Sequence, residues 1–181
     1  MASAFGHAAV SLALNQTGLV KQYSWRLMAC GVVLSVLPDA DSVGFTLGVP
    51  YGSFWGHRGF SHSILFAVLI SIFTQVLLFR NGKSLGEAIR VFLFLFLSCV
   101  SHSILDAMTT GGLGVAFFSP FDNARYFLPF RPIKVSPISI NAFFNGKGWA
   151  VIQSESIWIG IPCILIIICS RIISSSYRKS E

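Results

Sequence analysis

Residues 57–80 read HRGFSHSILFAVLISIFTQVLLFR, with His57, Arg58 and His62 packed into a short polar mouth before an uncharged apolar run that closes at Arg80. A run of that length and composition, from Ser63 to Phe79, reads as a membrane-crossing helix. Titratable groups at the rim of such a helix are costly unless they pair or bind something. The fold and the site are therefore both posed by this one stretch.

The rest of the chain agrees with a membrane setting. Of 181 residues, 54% are hydrophobic and only 11% are charged, which is far from an ordinary soluble domain. The length corresponds to a single domain, 1–181. A net charge of +6 would suit nucleic acid, but the thirteen Lys and Arg are scattered singly between apolar runs and form no dense basic stretch. No nucleic-acid partner is expected. Cys30, Cys99, Cys163 and Cys169 lie inside apolar segments without C-x-x-C spacing, so they read as core residues. The start, MASAFGHAAV, lacks a positive n-region and is expected to stay in the mature protein.

Besides Ser63 to Phe79, spans are expected at Val91 to Leu105 and Ser156 to Ser170, and two shorter helices at Phe5 to Val20 and Trp25 to Leu37. Turns fall at VKQYSWR and around Gly82. The expected fold is all-α, a polytopic membrane bundle of about five helices. A Pro-rich outer-face loop region, 107–154, carries Pro120, Pro129, Pro132 and Pro137 and cannot be one long helix. It is expected to fold over the site as a loop or short hairpin.

Lys21, Arg26, Arg80, Lys83, Arg90, Arg171, Arg178 and Lys179 fall at helix ends that can share one side, which the positive-inside rule makes cytoplasmic, with the C-terminus. Arg58, Arg125, Arg131, Lys134 and Lys147 fall on the other side and need a different reason.

Every histidine lands on that other side. His7 starts the first helix, Asp39 and Asp41 follow the second in LPDADS, and His57 and His62 precede the third. His102 and Asp106 end the fourth in SHSILDAMTTGG, and Glu155 begins the fifth. At 1.5 Å per residue these groups stand roughly 18 to 27 Å above their cytoplasmic anchor charges, at or below the outer edge of the hydrocarbon. His102 and Asp106, four apart, share a helical face. Four histidines with three or four carboxylates and no nearby thiol suit Zn2+, or Mn2+ or Fe2+, better than Mg2+ or Ca2+. So many donors exceed one tetrahedral site, which points to two or more ions.

Taken singly, each residue has an ordinary alternative. Asp39 or Asp41 can serve as a helix cap after Pro38, and Ser61 can cap the third helix. Arg58 can be an interfacial anchor. Glu155 can be a first-turn carboxylate that favours the helix dipole.

At PDADS, GHRGFSHS and SHSILDAMTTGG the chain resembles the predicted LexA-regulated, membrane-bound metal-dependent hydrolases of bacterial inner membranes. The likeness covers most of the length, including FSPF and RYFLPFRPIKVSPI. In ligand order it is also similar, more distantly, to the helical zinc-dependent phospholipases C. That likeness implies His7, Asp39 or Asp41, His57 or His62, His102 with Asp106, and Glu155 as ligands. The late His-x-x-x-Glu of those enzymes is absent here, since Val151 and Gln153 precede Glu155, so one metal is missing or differently held.

The resemblance implies a metal-dependent hydrolase and supplies no substrate; the expected reaction is hydrolysis of a phosphoester on a lipid or lipid-linked substrate at the outer face of the inner membrane. Asp39 or Asp41 would serve as general base, and Arg58, Arg125, Arg131 and Lys134 would hold the phosphate. Two other classes compete. A metal-ion transporter would place its site near the midplane on broken helices, and a structural protein would use an ion only to staple helices.

Overall fold

The computed structural model describes residues 1–20, 24–80 and 84–179. Six helices of eight residues or more carry the described part: α1 Ala4–Asn15, α2 Trp25–Val36, α3 Ile64–Leu78, α4 Leu85–Ala107, α5 Gly148–Glu155 and α6 Ile161–Lys179. No strand occurs among the described residues; two isolated bridges, Thr109 with Ile133 and Val115 with Tyr126, are the only β pairing there. The all-α bundle is as the sequence indicates.

Helix α4 is the hub. Ser84 and Glu87 close a reciprocal capping box at its start, which fixes where the chain turns into the helix. Its 23 residues span about 34 Å, enough to cross a bilayer core. Val91, Phe94, Leu95 and Cys99 face inward against Leu27 and Leu34 of α2 and Ala67 of α3. Helix α1 packs with a small and polar face, in which Gly6, His7, Ser11, Ala13 and Asn15 are buried while Phe5 and Leu12 are exposed. Ser11 meets Ser98 of α4 at 3.1 Å, a polar contact between helices of the kind lipid-embedded bundles use. Gly31 makes this approach feasible: a Cβ there would stand 2.6 Å from the Phe94 ring and 2.7 Å from Ser11 Oγ.

The outer helices are the lipid-facing ones. Leu69, Ile72, Phe73, Val76 and Leu77 of α3 are exposed, as are Ile164, Leu165, Ile168 and Ile172 of α6. In the stretch Gly148–Ser175 only 11% of the most apolar window is buried, against 44% for α4, which gives α4 the centre and α6 the rim. Three helical stretches are long and apolar enough to cross a membrane: Trp25–Thr46, Leu85–Ala107 and Gly148–Ser175. Ile64–Leu78 is apolar but shorter.

Several boundaries differ from expectation. Pro38 does not end the second helical path. It sits in the first turn of a 3₁₀ segment, Leu37–Ser42, where a missing N–H is tolerated, and the path runs on through a single turn at Val43–Thr46. The first helix ends at Asn15 rather than Val20, and the fourth starts at Leu85 rather than Val91. The last span starts at Gly148, runs through α5, passes a wide turn at Ser156–Gly160 and continues as α6. Glu155 is therefore at the end of α5 instead of in the first turn of a helix. Ser63, not Ser61, caps α3 by accepting from Phe66 N–H. The turns expected at Gly82 and across residues 21–23 lie outside the described residues.

Residues 108–139 fold back over the ends of α2, α3 and α4 as an irregular layer. Val115 and Tyr126 exchange backbone hydrogen bonds, and the Ala116 and Ile64 N–H groups bond to the Arg58 and Phe117 carbonyls. Within region 107–154, residues 108–139 are irregular and residues 140–154 turn helical.

Candidate metal centre

Four elements deliver the polar groups to one place. The 3₁₀ segment after α2 carries Asp39 and Asp41, and a 3₁₀ turn at Phe60–His62 carries His62, with His57 just before it. The last two turns of α4 carry His102 and Asp106, and α1 carries His7. His7, His62, His102 and Asp106 have no exposed surface.

Asp39, His62, His102 and Asp106 each offer one ligand atom, and these atoms lie within 4.8 Å of one another. Asp39 Oδ1 stands 3.3 Å from His102 Nε2 and 3.7 Å from His62 Nε2, and Asp106 Oδ2 stands 3.6 Å from His62 Nε2. The two Nε2 atoms face each other at 3.1 Å. Partner atoms assign the protons. His102 Nδ1 lies 2.8 Å from the Ser35 carbonyl oxygen, which only an N–H can satisfy. His62 Nδ1 lies 3.1 Å from Asp41 Oδ2 and 3.0 Å from Ser61 Oγ, whose own proton goes to Asp41. With both rings neutral, the Nε2 atoms keep lone pairs, pointed at each other and at two carboxylates. Such an arrangement calls for a cation. Without an ion a proton fills that place: burial opposes charge on His62, but Asp106, Asp39 and Asp41 outweigh it and raise its pKa to about 10, which puts a second proton on Nε2.

Buried polar atoms without hydrogen-bond partners mark the same spot: both oxygens of Asp39, Asp106 Oδ2 and both ring nitrogens of His7. Buried groups are ordinarily satisfied, so this cluster of orphans fits a bound ion. The His7 ring stacks on His102 at 3.7 Å, and its Nε2 lies 3.5 Å from Asp106 Oδ1. Nitrogen and carboxylate donors without thiols fit a divalent transition metal.

The two aspartates of LPDADS take different roles. Asp41 accepts from Ser61 Oγ at 2.6 Å and from Arg58 N–H at 3.2 Å, and pairs with His57 Nδ1 at 2.7 Å. It is saturated, while Asp39 has no donor. A second group, Asp41, His57 and His62, also has metal-ligand spacing and shares His62 with the first. Its Asp41–His57 contact is equally the carboxylate–imidazole pair that orients a histidine.

Arg58 departs from the expected substrate-binding role. It is fully buried in a left-handed backbone conformation, φ +62°, which turns its guanidinium inward. Nε lies 3.0 Å from Asp106 Oδ2, short in distance but off the line of a hydrogen bond, while Nη1 and Nη2 donate to the Gly111 carbonyl and Thr109 Oγ1. Gly112, at φ +92°, lies against the guanidinium, where a Cβ would stand 2.5 Å from Nη1. Arg125 is likewise occupied, donating to the carbonyls of His57, Tyr51 and Ser53. It holds the loop that carries His57. Arg131 lies over the Phe127 ring at 4.5 Å, and both Arg131 and Lys134 have exposed side chains.

Glu155 is outside both groups. It accepts hydrogen bonds from the backbone N–H and hydroxyl of Ser3 at 2.5 Å, and the adjoining Ala2 N–H donates to Asp106 Oδ1 at 2.7 Å. The segment before α1 thus links the two carboxylates, with Glu155 holding it in place. Ser3, Ser61 and Thr109 escape a search for ligands, because their roles are to bond ligands and clamps. The TTGG run is the one signal of a tight loop at Thr109.

The model of the YdjM inner membrane protein family matches residues 1–179. Inner membrane protein YbcI of Escherichia coli (strain K12) is 40% identical over 169 residues, 92% of this chain and 95% of that protein. Protein YvsG of Bacillus subtilis (strain 168) is 29% identical over 98 residues, 50% of this chain and 56% of that one. No solved structure gives a significant match. With its apolar spans and end-to-end match, the chain belongs to the YdjM family of inner membrane proteins.

Proposed function

We propose that this protein is a metal-dependent hydrolase that cleaves a phosphoester of a lipid or lipid-linked substrate at the outer face of the inner membrane. One observation carries the reading: Asp39, His62, His102 and Asp106 converge, buried, and neither oxygen of Asp39 has a hydrogen-bond donor. The resemblance to LexA-regulated, metal-dependent hydrolases supports the reaction class, and the charge bias of the helix ends supports the outward orientation with a cytoplasmic C-terminus.

In this reading Asp39, His62, His102 and Asp106 hold Zn2+, or Mn2+ or Fe2+, with His7 beside them, and a second ion at His57 and Asp41 would have to displace donors that Asp41 now accepts. A bound ion of this kind supplies Lewis acidity and a water acidified towards neutral pH. The protein's own groups do the rest. Asp41 holds the Nδ1–H tautomers of His57 and His62. Arg58 balances the charge of Asp106 at Oδ2, the oxygen that also faces His62 and His102. Asp39 Oδ2, free of any donor, is the atom that accepts a proton. Arg131 and Lys134 remain free at the surface to meet an anionic head group.

The test is release of phosphate or phosphorylated head group from phospholipids and isoprenoid phosphates by detergent-purified protein. The expected result is turnover that chelation abolishes, added Zn2+ or Mn2+ restores, and His102→Ala lacks. Full burial of His62, His102 and Asp106 favours a second reading, an ion that staples helices without chemistry. Retained metal with no turnover on any phosphorylated lipid would select that one.

A further inference from the structure

At the end of the bundle opposite the His/Asp cluster, the start of α2 and the last turns of α3 border an open cavity of about 570 Å³. The twelve residues of α2 and fifteen of α3 put it about 18–22 Å from the cluster end. Ser24 and Arg26 line one wall, and Phe73, Val76, Leu77 and Arg80 line the other.

Its chemistry is uneven. Among the described residues no acidic residue lines it and no carboxylate pairs with Arg26 or Arg80. Arg26 has only the Trp25 ring, 5.9 Å from its guanidinium carbon. Two unneutralised guanidiniums on one cavity repel each other and attract an anion, and their planar donors match phosphate oxygens. Ser24 makes no side-chain cap at the start of α2, so the first N–H groups of that helix lie at the same wall. The remaining lining is apolar and continuous with the exposed lipid-facing side of α3 at Phe73, Val76 and Leu77. A free anion would use the cations and waste the wall. An amphiphile with a phosphate head uses both.

We propose that this cavity is a binding site for one anionic phospholipid, with its phosphate between Arg26 and Arg80 and an acyl chain along Phe73, Val76 and Leu77. The site stands apart from the His/Asp cluster and does not depend on the hydrolase reading. It also differs from general attraction of basic helix ends to a membrane, because it needs these two arginines and not the neighbouring ones.

Native mass spectrometry of delipidated, detergent-solubilised protein titrated with phosphatidylglycerol or phosphatidylcholine tests it. Wild type should form a one-lipid adduct at a concentration about tenfold lower with phosphatidylglycerol, about 1.4 kcal/mol, because both lipids carry the phosphate but the choline cation of phosphatidylcholine is repelled by the two guanidiniums. Arg26→Gln and Arg80→Gln should each reduce that preference, and the double variant should abolish it. Arg90→Gln with Arg171→Gln removes the same charge from the same end of the bundle without touching the cavity, and should leave it unchanged. Equal binding of the two lipids by wild type would overturn the proposal without reference to any variant. Equal losses in the Arg90/Arg171 variant would overturn it too, by showing that only net charge matters.

Discussion

His62 Nε2 and His102 Nε2 face each other at 3.1 Å, each with its other ring nitrogen already donated to an oxygen. Two lone pairs at that separation, flanked by Asp39 and Asp106, are repulsive until a proton or a metal ion joins them. Four histidines and three aspartates are assembled around that point.

Asp39 and Asp41 should separate by experiment. Asp39→Asn removes a carboxylate whose oxygens have no other partner, and is expected to abolish stoichiometric metal binding. Asp41→Asn loosens the grip on His57 and His62 and should weaken affinity about 10–100-fold while full occupancy returns at high metal. Metal titration of the two variants, followed by calorimetry, checks this. Reversed behaviour would exchange their roles.

Arg58 should prove a stability residue. Arg58→Gln leaves Asp106 buried without its cation and is expected to cost about 3–5 kcal/mol. Gly112→Ala, which pushes a Cβ towards Nη1 from a left-handed backbone, should cost about 1–3 kcal/mol. Thermal unfolding in detergent measures both. An unchanged midpoint for Arg58→Gln would free that side chain for substrate.

Glu155→Gln should leave metal content as in wild type, because Glu155 bonds Ser3 and contributes to neither ligand group. Elemental analysis of this variant decides whether the late carboxylate is a ligand.

Gly31→Leu should destabilise the bundle at the contact of α1, α2 and α4. Even a Cβ meets the Phe94 ring and Ser11, and overpacking of that kind costs about 1–3 kcal/mol. Thermal unfolding in detergent gives the value, and a neutral result would mean that the three helices can part at this contact without loss.

Much of this was legible in the sequence because helix ends can be counted. His7, Asp39, Asp41, His57, His62, His102 and Asp106 fall at one level by residue number, and the structure gathers them. The division of labour between Asp39 and Asp41 was not legible. It depends on a 3₁₀ path through Pro38 that keeps both on one helical track, so that Ser61 and the Arg58 N–H reach only Asp41. The direction of Arg58 was hidden for a similar reason: a non-glycine residue at positive φ has no signature of its own, and only TTGG, which begins at Thr109, 51 residues downstream, hints at the cradle. Glu155 was misplaced because the last helix starts earlier, at Gly148, which moves the carboxylate from a first turn to the Ser3 contact.

The most direct test is elemental analysis of wild-type protein purified without added chelator, beside Asp39→Asn prepared identically and shown to be folded by its helical circular dichroism. The expected result is at least one equivalent of zinc, manganese or iron per chain in wild type and a loss of that equivalent in Asp39→Asn. Folded wild type that holds no transition metal, and takes up none on titration, would contradict the metal centre and the hydrolase built on it.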